Sequence, residues 1–289
     1  MIRALLVSSR PLSWVNTAYP FAAAYVMTTR EIDWVLVVGT LFFLVPYNLA
    51  MYGINDVFDY ESDLRNPRKG GVEGALLDRS LHRATITASI VTVVPFVVAL
   101  VVAGALAGRP LSWLVLAVSL FAVVAYSAAG LRFKERPVLD SLTSSTHFVS
   151  PAVFGLVLAG AEFTPQLWAV LAAFFLWGMA SHAFGAVQDI VADREGGIAS
   201  IATVFGGRAT VRLSVGAYLL AAVLLLTTLW PGPLAALLAL PYAVNALPWW
   251  SVRDEDAATA NRGWRRFLWL NFAAGFGTTM LLIWFALAG

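Results

Sequence analysis

Two short stretches of the chain gather carboxylates in patterns that can do chemistry. The first runs Asn55, Asp56, Asp59, Glu61 and Asp63, and the second Gln188, Asp189 and Asp193. Within each, aspartates four residues apart share one helix face, about 6 Å from one another along the axis. Asp59 and Asp189 are 130 positions apart, and so are Asp63 and Asp193. Arginine and then a Gly-Gly pair follow each row, Arg65 to Gly71 in one case and Arg194 to Gly197 in the other. Several carboxylates brought together without a counter-charge repel strongly, so a cation is expected among them. Oxygen donors alone favour Mg²⁺, which keeps waters and binds substrate phosphates through a few carboxylates. One such Asp pair at a helix end reads as a solvated or salt-bridged pair. Two at matched positions point to a single metal-dependent site.

Basic residues stand beside these rows. After the first come Arg65, Asn66, Pro67, Arg68, Lys69, Gly70 and Gly71, and a second basic segment holds Tyr126, Ser127, Arg132, Lys134 and Arg136. The glycines allow close backbone approach to a ligand, and Arg68, Lys69, Arg132 and Lys134 suit a clamp on diphosphate oxygens. Arg79, Arg83, Arg208, Arg212 and the arginines from Arg253 to Arg266 read instead as ordinary charges at the cytoplasmic ends of spans.

The elements that must carry these rows are membrane helices. Of 289 residues 60% are hydrophobic and 12% charged, with mean hydropathy +0.77, a balance that excludes a soluble globular domain. A net charge of +2 is too even for a nucleic-acid binder, and the absence of cysteine removes thiolate metal sites and cysteine nucleophiles. Nine charge-free runs reach membrane-spanning length: 11–29, 34–55, 84–108, 110–131, 141–161, 163–188, 213–230, 234–252 and 267–289. Pro231, Gly232 and Pro233 split the long block from 213 to 252. Alternating the spans places 17 basic residues on one side and two, Arg30 and Arg109, on the other. That bias predicts a multi-pass protein of the cell membrane with a cytoplasmic N-terminus, an external C-terminus and both carboxylate rows at cytoplasmic helix ends. The first apolar run reads as a retained span rather than a cleaved signal peptide, since cleavage would discard one of nine well-formed spans. The 130-residue offset makes two four-helix pseudo-repeats, about 11–131 and 141–252, with a ninth helix at 267–289, all in one domain over 1–289.

At these residues the chain resembles the UbiA superfamily of intramembrane prenyltransferases. The family carries Asn-Asp-x-x-Asp-x-x-x-Asp after its second helix and Asp-x-x-x-Asp after its sixth, matched by Asn55, Asp56, Asp59, Asp63 and by Asp189, Asp193. Its tyrosine-serine and arginine-x-lysine stretch is matched by Tyr126, Ser127, Arg132 and Lys134. The resemblance implies an all-α fold of nine transmembrane helices, Mg²⁺ (or Mn²⁺ in its place), an isoprenoid diphosphate donor and an apolar acceptor entering from the bilayer. Asp59-Tyr60-Glu61-Ser62-Asp63, Asn66 to Gly71 and Gln188-Asp189 with Asp193-Arg194-Glu195 are most similar to the lycopene elongases of C50 carotenoid pathways. In that subgroup dimethylallyl diphosphate is the donor and the end of a C40 carotene the acceptor, sometimes with addition of water.

On that reading Asn55, Asp59, Asp63, Asp189 and Asp193 hold metal, with Asp59 and Asp189 central to catalysis, and Asp56 supports them. Arg68, Lys69, Arg132, Lys134 and Tyr126 bind diphosphate. Two polar residues lie deeper in spans: His182, about 10 Å below Asp189, and Asn48, about 16 Å below Asp59. Each reads either as a helix-packing hydrogen bond or as part of the site, His182 placing water or taking the last proton and Asn48 supporting the acids from behind. His147 reads as structural. Other acceptors of the same superfamily (quinone precursors, chlorophyllide, haem, glycerol ethers) are the nearer alternative, and a divalent-cation transporter is the non-enzyme one. An ion-transport site should lie near the bilayer midplane, whereas these acids lie at helix ends beside basic loops, which suits a diphosphate.

Overall fold

The computed structural model describes residues 1–64 and 76–288, the side chains of residues 62, 63 and 288 excepted. Among them there is no strand. The helices are α1 (Ile2–Ser8), α2 (Val15–Thr29), α3 (Trp34–Leu44), α4 (Pro46–Phe58), α5 (Tyr60–Asp63), α6 (Arg79–Leu106), α7 (Leu111–Ser127), α8 (Leu139–Ala159), α9 (Pro165–Val187), α10 (Ile190–Glu195), α11 (Ile201–Leu226), α12 (Ala236–Ala246) and α13 (Asn261–Ala288).

Among the described residues six stretches are long and apolar enough to cross a membrane: Trp34–Phe58, Arg79–Leu106, Leu139–Ala159, Pro165–Val187, Ile201–Leu226 and Asp254–Leu287. Three of the nine expected spans come out shorter. The run 11–29 yields the 15-residue α2, 110–131 the 17-residue α7, and 234–252 the 11-residue α12 with 3-10 turns on either side. Helices elsewhere outrun the charge-free stretches, α6 beginning at Arg79 and α11 at Ile201, because a helix continues through exposed arginines at the headgroup level. On α6 the side chains of Ile90, Val91, Val94, Val98 and Val102 are exposed at 47–63%, an apolar stripe at helical spacing that only lipid would cover.

The chain forms two compact units, Met1–Phe133 with Thr146–Ala161, and Lys134–Ser145 with Glu162–Gly289; α8 contributes to both. The first has an aromatic core in which Phe43 meets Phe42 (4.8 Å), Tyr47 (5.2 Å) and Phe21 (5.3 Å), the first two edge to face. A Cβ at Gly39 would stand 2.1 Å from the Phe21 ring, so the close approach of α2 and α3 requires glycine there. Between α3 and α4 the chain bends at Val45 (φ −117°, ψ −61°), because Pro46 has no N–H for the carbonyl one turn back. Asn48 Nδ2 donates to the carbonyls of Phe43 (2.8 Å) and Leu44 (3.1 Å) and to Thr17 Oγ1 (2.7 Å), replacing the bonds lost at the bend.

In the second unit α9 packs along α11 and α11 against α12, around Phe184, Val187, Val211, Tyr218, Tyr242 and Trp249. Ser200 caps α11 through a reciprocal box with Thr203. The buried Asp140 carboxylate also accepts from Ile201 N at 2.7 Å. Gly206 (φ +79°, ψ 161°) interrupts α11 after its first turn, a conformation glycine adopts without a Cβ penalty.

Candidate active site

The first row stands at the end of α4. Asn55 and Asp56 occupy its last turn, and Asp59 follows as the cap residue with φ −98° and ψ −1°, after which the four-residue α5 carries the backbone of Asp63. Three polar residues are thus buried at the end of an apolar helix, Asn55 at 9%, Asp56 at 1% and Asp59 at 5% exposure, so each needs a partner. Ser127, at the end of α7, donates to Asn55 Oδ1 at 2.9 Å. Ser8 Oγ donates to Asp56 at 2.8 Å and Arg10 Nη2 at 3.1 Å, while the Arg10 guanidinium lies 4.3 Å from the centre of the Tyr52 ring. The Asp56 charge is therefore neutralised within the protein. Arg132 Nη2 lies 4.0 Å from Asp59 Oδ1, the outer limit of an ion pair, and the Arg132 backbone is left-handed at φ 41°. Tyr126 meets His147 edge to face at 5.4 Å.

The second row is built the same way on α9. That helix ends at Val187, Gln188 closes it, and Asp189 (φ −98°, ψ −4°) starts α10. Asp193 N donates to Asp189 O at 2.8 Å, so the two aspartates are one turn apart on one face. Gln188 is held from both sides: its Nε2 donates to Gly185 O (2.9 Å), and Asn261 Nδ2 donates to its Oε1 (2.6 Å). About two turns before Asp189 on α9, His182 Nδ1 and Ser141 Oγ are 3.1 Å apart in a hydrogen bond. The neighbouring Asp140 receives Ser141 N at 2.6 Å as well as Ile201 N. Lys134 is half-buried in the 3-10 turn Phe133–Glu135.

Arg68, Lys69 and the Asp63 side chain lie outside the described residues. Sequence reasoning assigned no role to Ser8, Arg10 or Ser141. For Arg10 a signal existed, because a buried Asp56 on an apolar helix requires a counter-charge, but nothing in the sequence names which of many arginines supplies it. The donor set fits Mg²⁺: Asn55 offers a carbonyl oxygen with a second lone pair and Asp59 a buried carboxylate, without nitrogen or sulfur donors between them. Among the described residues no three His, Asp or Glu side chains are gathered so as to hold a metal by themselves.

The sequence pattern of the UbiA prenyltransferase family matches residues 17–272. The lycopene elongase/hydratase of Corynebacterium glutamicum is 54% identical over 282 residues, covering 98% of this chain and 97% of that protein. The C(50) beta-cyclic carotenoids biosynthesis protein LbtBC of Dietzia sp. is 58% identical over 285 residues; the match takes in 98% of this chain and 65% of that longer relative. Among solved structures, a UbiA homolog from Archaeoglobus fulgidus bound to DMAPP and Mg²⁺ superposes with a TM-score of 0.67 over 93% of this chain and 98% of that one, at 20% identity.

Proposed function

The chain belongs to the UbiA prenyltransferase family, and from that premise we propose that it transfers a dimethylallyl group from dimethylallyl diphosphate to the end of lycopene, lengthening a C40 carotenoid to C45 and C50, with or without addition of water. It is a multi-pass membrane protein and a transferase of alkyl groups other than methyl. The match to the Corynebacterium lycopene elongase/hydratase along nearly the full length of both proteins carries the choice of acceptor.

Asn55, Asp59 and Asp63 from the first row and Asp189 and Asp193 from the second hold the metal, Mg²⁺ with Mn²⁺ able to substitute. When bound, the metal supplies positive charge that stabilises the departing diphosphate. Arg132, Lys134 and Tyr126, with Arg68 and Lys69, bind the diphosphate oxygens and take up negative charge as the allylic carbon–oxygen bond breaks. Ser8 and Arg10 hold Asp56, and Ser127 holds Asn55, so the donors are fixed before substrate arrives. Asn48 sets the bend from which α4 projects its row. The terminal double bond of lycopene attacks the dimethylallyl cation, a carbon–carbon bond forms, and the resulting tertiary cation loses a proton or captures water. His182, oriented by Ser141, accepts that proton or positions the water. One domain over 1–289 with two pseudo-repeats does this work, at the cytoplasmic face of the cell membrane. Incubating membranes containing the protein with lycopene and dimethylallyl diphosphate, and weighing the carotenoids, tests the reading. Masses increased by one and two C5 units support it, and unchanged lycopene alongside another prenylated lipid overturns the choice of acceptor.

A further inference from the structure

Outside these rows the second unit carries a groove of about 1040 Å³ along one side of α11, with an uneven distribution of charge. Arg208, Arg212 and Arg253 surround one end. Away from them the walls are apolar, among them Leu176, Leu213 and Leu220, and Gly216 opens the floor, since a Cβ there would meet no atom within 4 Å. The one acid in the lining, Asp254, does not neutralise these arginines. Its Oδ2 lies 2.7 Å from Arg194 Nη1, and its Oδ1 accepts from Gly207 N at 2.7 Å. Among the described residues Arg208 and Arg253 have no ion-pair partner, and the contacts of Arg212 are the Trp250 carbonyl (Nε, 3.3 Å) and the Trp250 ring (5.1 Å). All three guanidinium groups are exposed.

Length identifies the occupant. Arg208 to Leu220 is twelve residues of helix, about 18 Å, close to the roughly 15 Å hydrocarbon depth of one leaflet. A cationic end, a tryptophan beside it and an apolar trough one leaflet long reproduce the profile of a lipid molecule from headgroup to tail. We propose that this groove is a binding site for one anionic glycerophospholipid, its phosphate among Arg208, Arg212 and Arg253 and an acyl chain along Leu213, Gly216 and Leu220. Arg212 is held in place by Trp250, so less side-chain entropy is lost when the headgroup arrives. The proposal does not depend on which acceptor the enzyme uses.

Native mass spectrometry of the full-length protein, offered phosphatidylglycerol and phosphatidylcholine with identical acyl chains, tests this. Wild type should retain one phosphatidylglycerol with a preference of about tenfold, below the sum of three full surface charges because exposed arginines are screened. R208Q/R212Q/R253Q should abolish the preference, and R262Q/R265Q/R266Q, which removes as many exposed charges from the start of α13, should keep it. Gly216→Trp, which fills the trough and leaves every charge in place, should also lose the lipid and covers the case in which the triple variant fails to fold. Equal loss in both triple variants, retention in Gly216→Trp, or no preference in wild type would overturn the proposal. So would displacement by soluble glycerol phosphate as effective as by the lipid, because the site would then take a free anion.

Discussion

Asp59 and Asp189, 130 positions apart, hold the same backbone conformation at the same kind of joint: φ −98° with ψ −1° in one and φ −98° with ψ −4° in the other, each between a long apolar helix and a short polar one. At such a joint the carboxylate leaves the helix axis where the last turn's carbonyls end, so an oxygen donor is presented at a membrane helix terminus without breaking the helix within the bilayer.

Asp59→Asn and Asp189→Asn keep that joint and remove a charge. Each should lower prenyl transfer on the order of a thousandfold while the melting temperature in detergent stays close to wild type. Chelation of divalent metal should stop turnover, and Mg²⁺ or Mn²⁺ should restore it. Turnover in a variant near the wild-type rate would remove that aspartate from the site, and turnover without metal would remove both.

Arg132→Ala and Lys134→Ala should raise the KM for the diphosphate donor by roughly ten- to a hundredfold, with little change in the KM for the carotene. Steady-state kinetics with each substrate varied in turn separates the two. An equal effect on both would mean that these residues act on stability rather than on diphosphate.

Arg10→Ala removes the guanidinium that pairs with the buried Asp56 carboxylate. The cost is about 3 kcal/mol, visible as a lowered melting temperature, and Arg10→Ala with Asp56→Asn should recover part of it. Arg3→Ala, at the exposed start of α1, should change nothing measurable.

His182→Phe should leave dimethylallyl transfer largely intact and shift the ratio of hydrated to dehydrated product, because the fate of the tertiary cation depends on the polar group nearest to it. Ser141→Ala, which removes one partner of the imidazole without deleting the ring, should shift the ratio in the same direction by less. A packing role predicts instead a loss of about 0.6 kcal/mol in stability with the ratio unchanged. Chromatography of the carotenoids distinguishes the two.

Reporter tags at the termini should give a cytoplasmic N-terminus and an external C-terminus, from the 17-to-2 division of basic residues. A cytoplasmic C-terminal reporter would require an even number of crossings.

The aspartate rows and the apolar runs are legible in the sequence because each is a local pattern, a spacing of four or a length of about twenty residues. The partners of those rows are not. Ser127 reaches Asn55 across 72 positions and Arg10 reaches Asp56 across 46, pairings that only helix packing decides. Helix ends are hidden for a related reason: a charge-free window stops at Arg208 and Arg212, while α11 runs through both with their side chains exposed. The 34–55 run, read as one span, corresponds to the stretch Trp34–Phe58, but the bend at Val45 inside it leaves no trace in hydropathy.

The bend at Val45 links two positions in inheritance as well as in space. Were Pro46 exchanged alone for a residue with an N–H, the helix could run straight, and the Asn48 amide would lose two of the three oxygens it serves. Were Asn48 exchanged alone for leucine, the carbonyl of Leu44 would face the apolar interior without its donor. Neither single step leads to a sound protein, although the two together describe an ordinary straight helix. A lineage that has acquired this pair is therefore held to it by the intermediate sequences, and the direction in which the first aspartate row points is protected by an asparagine about three turns from Asp59.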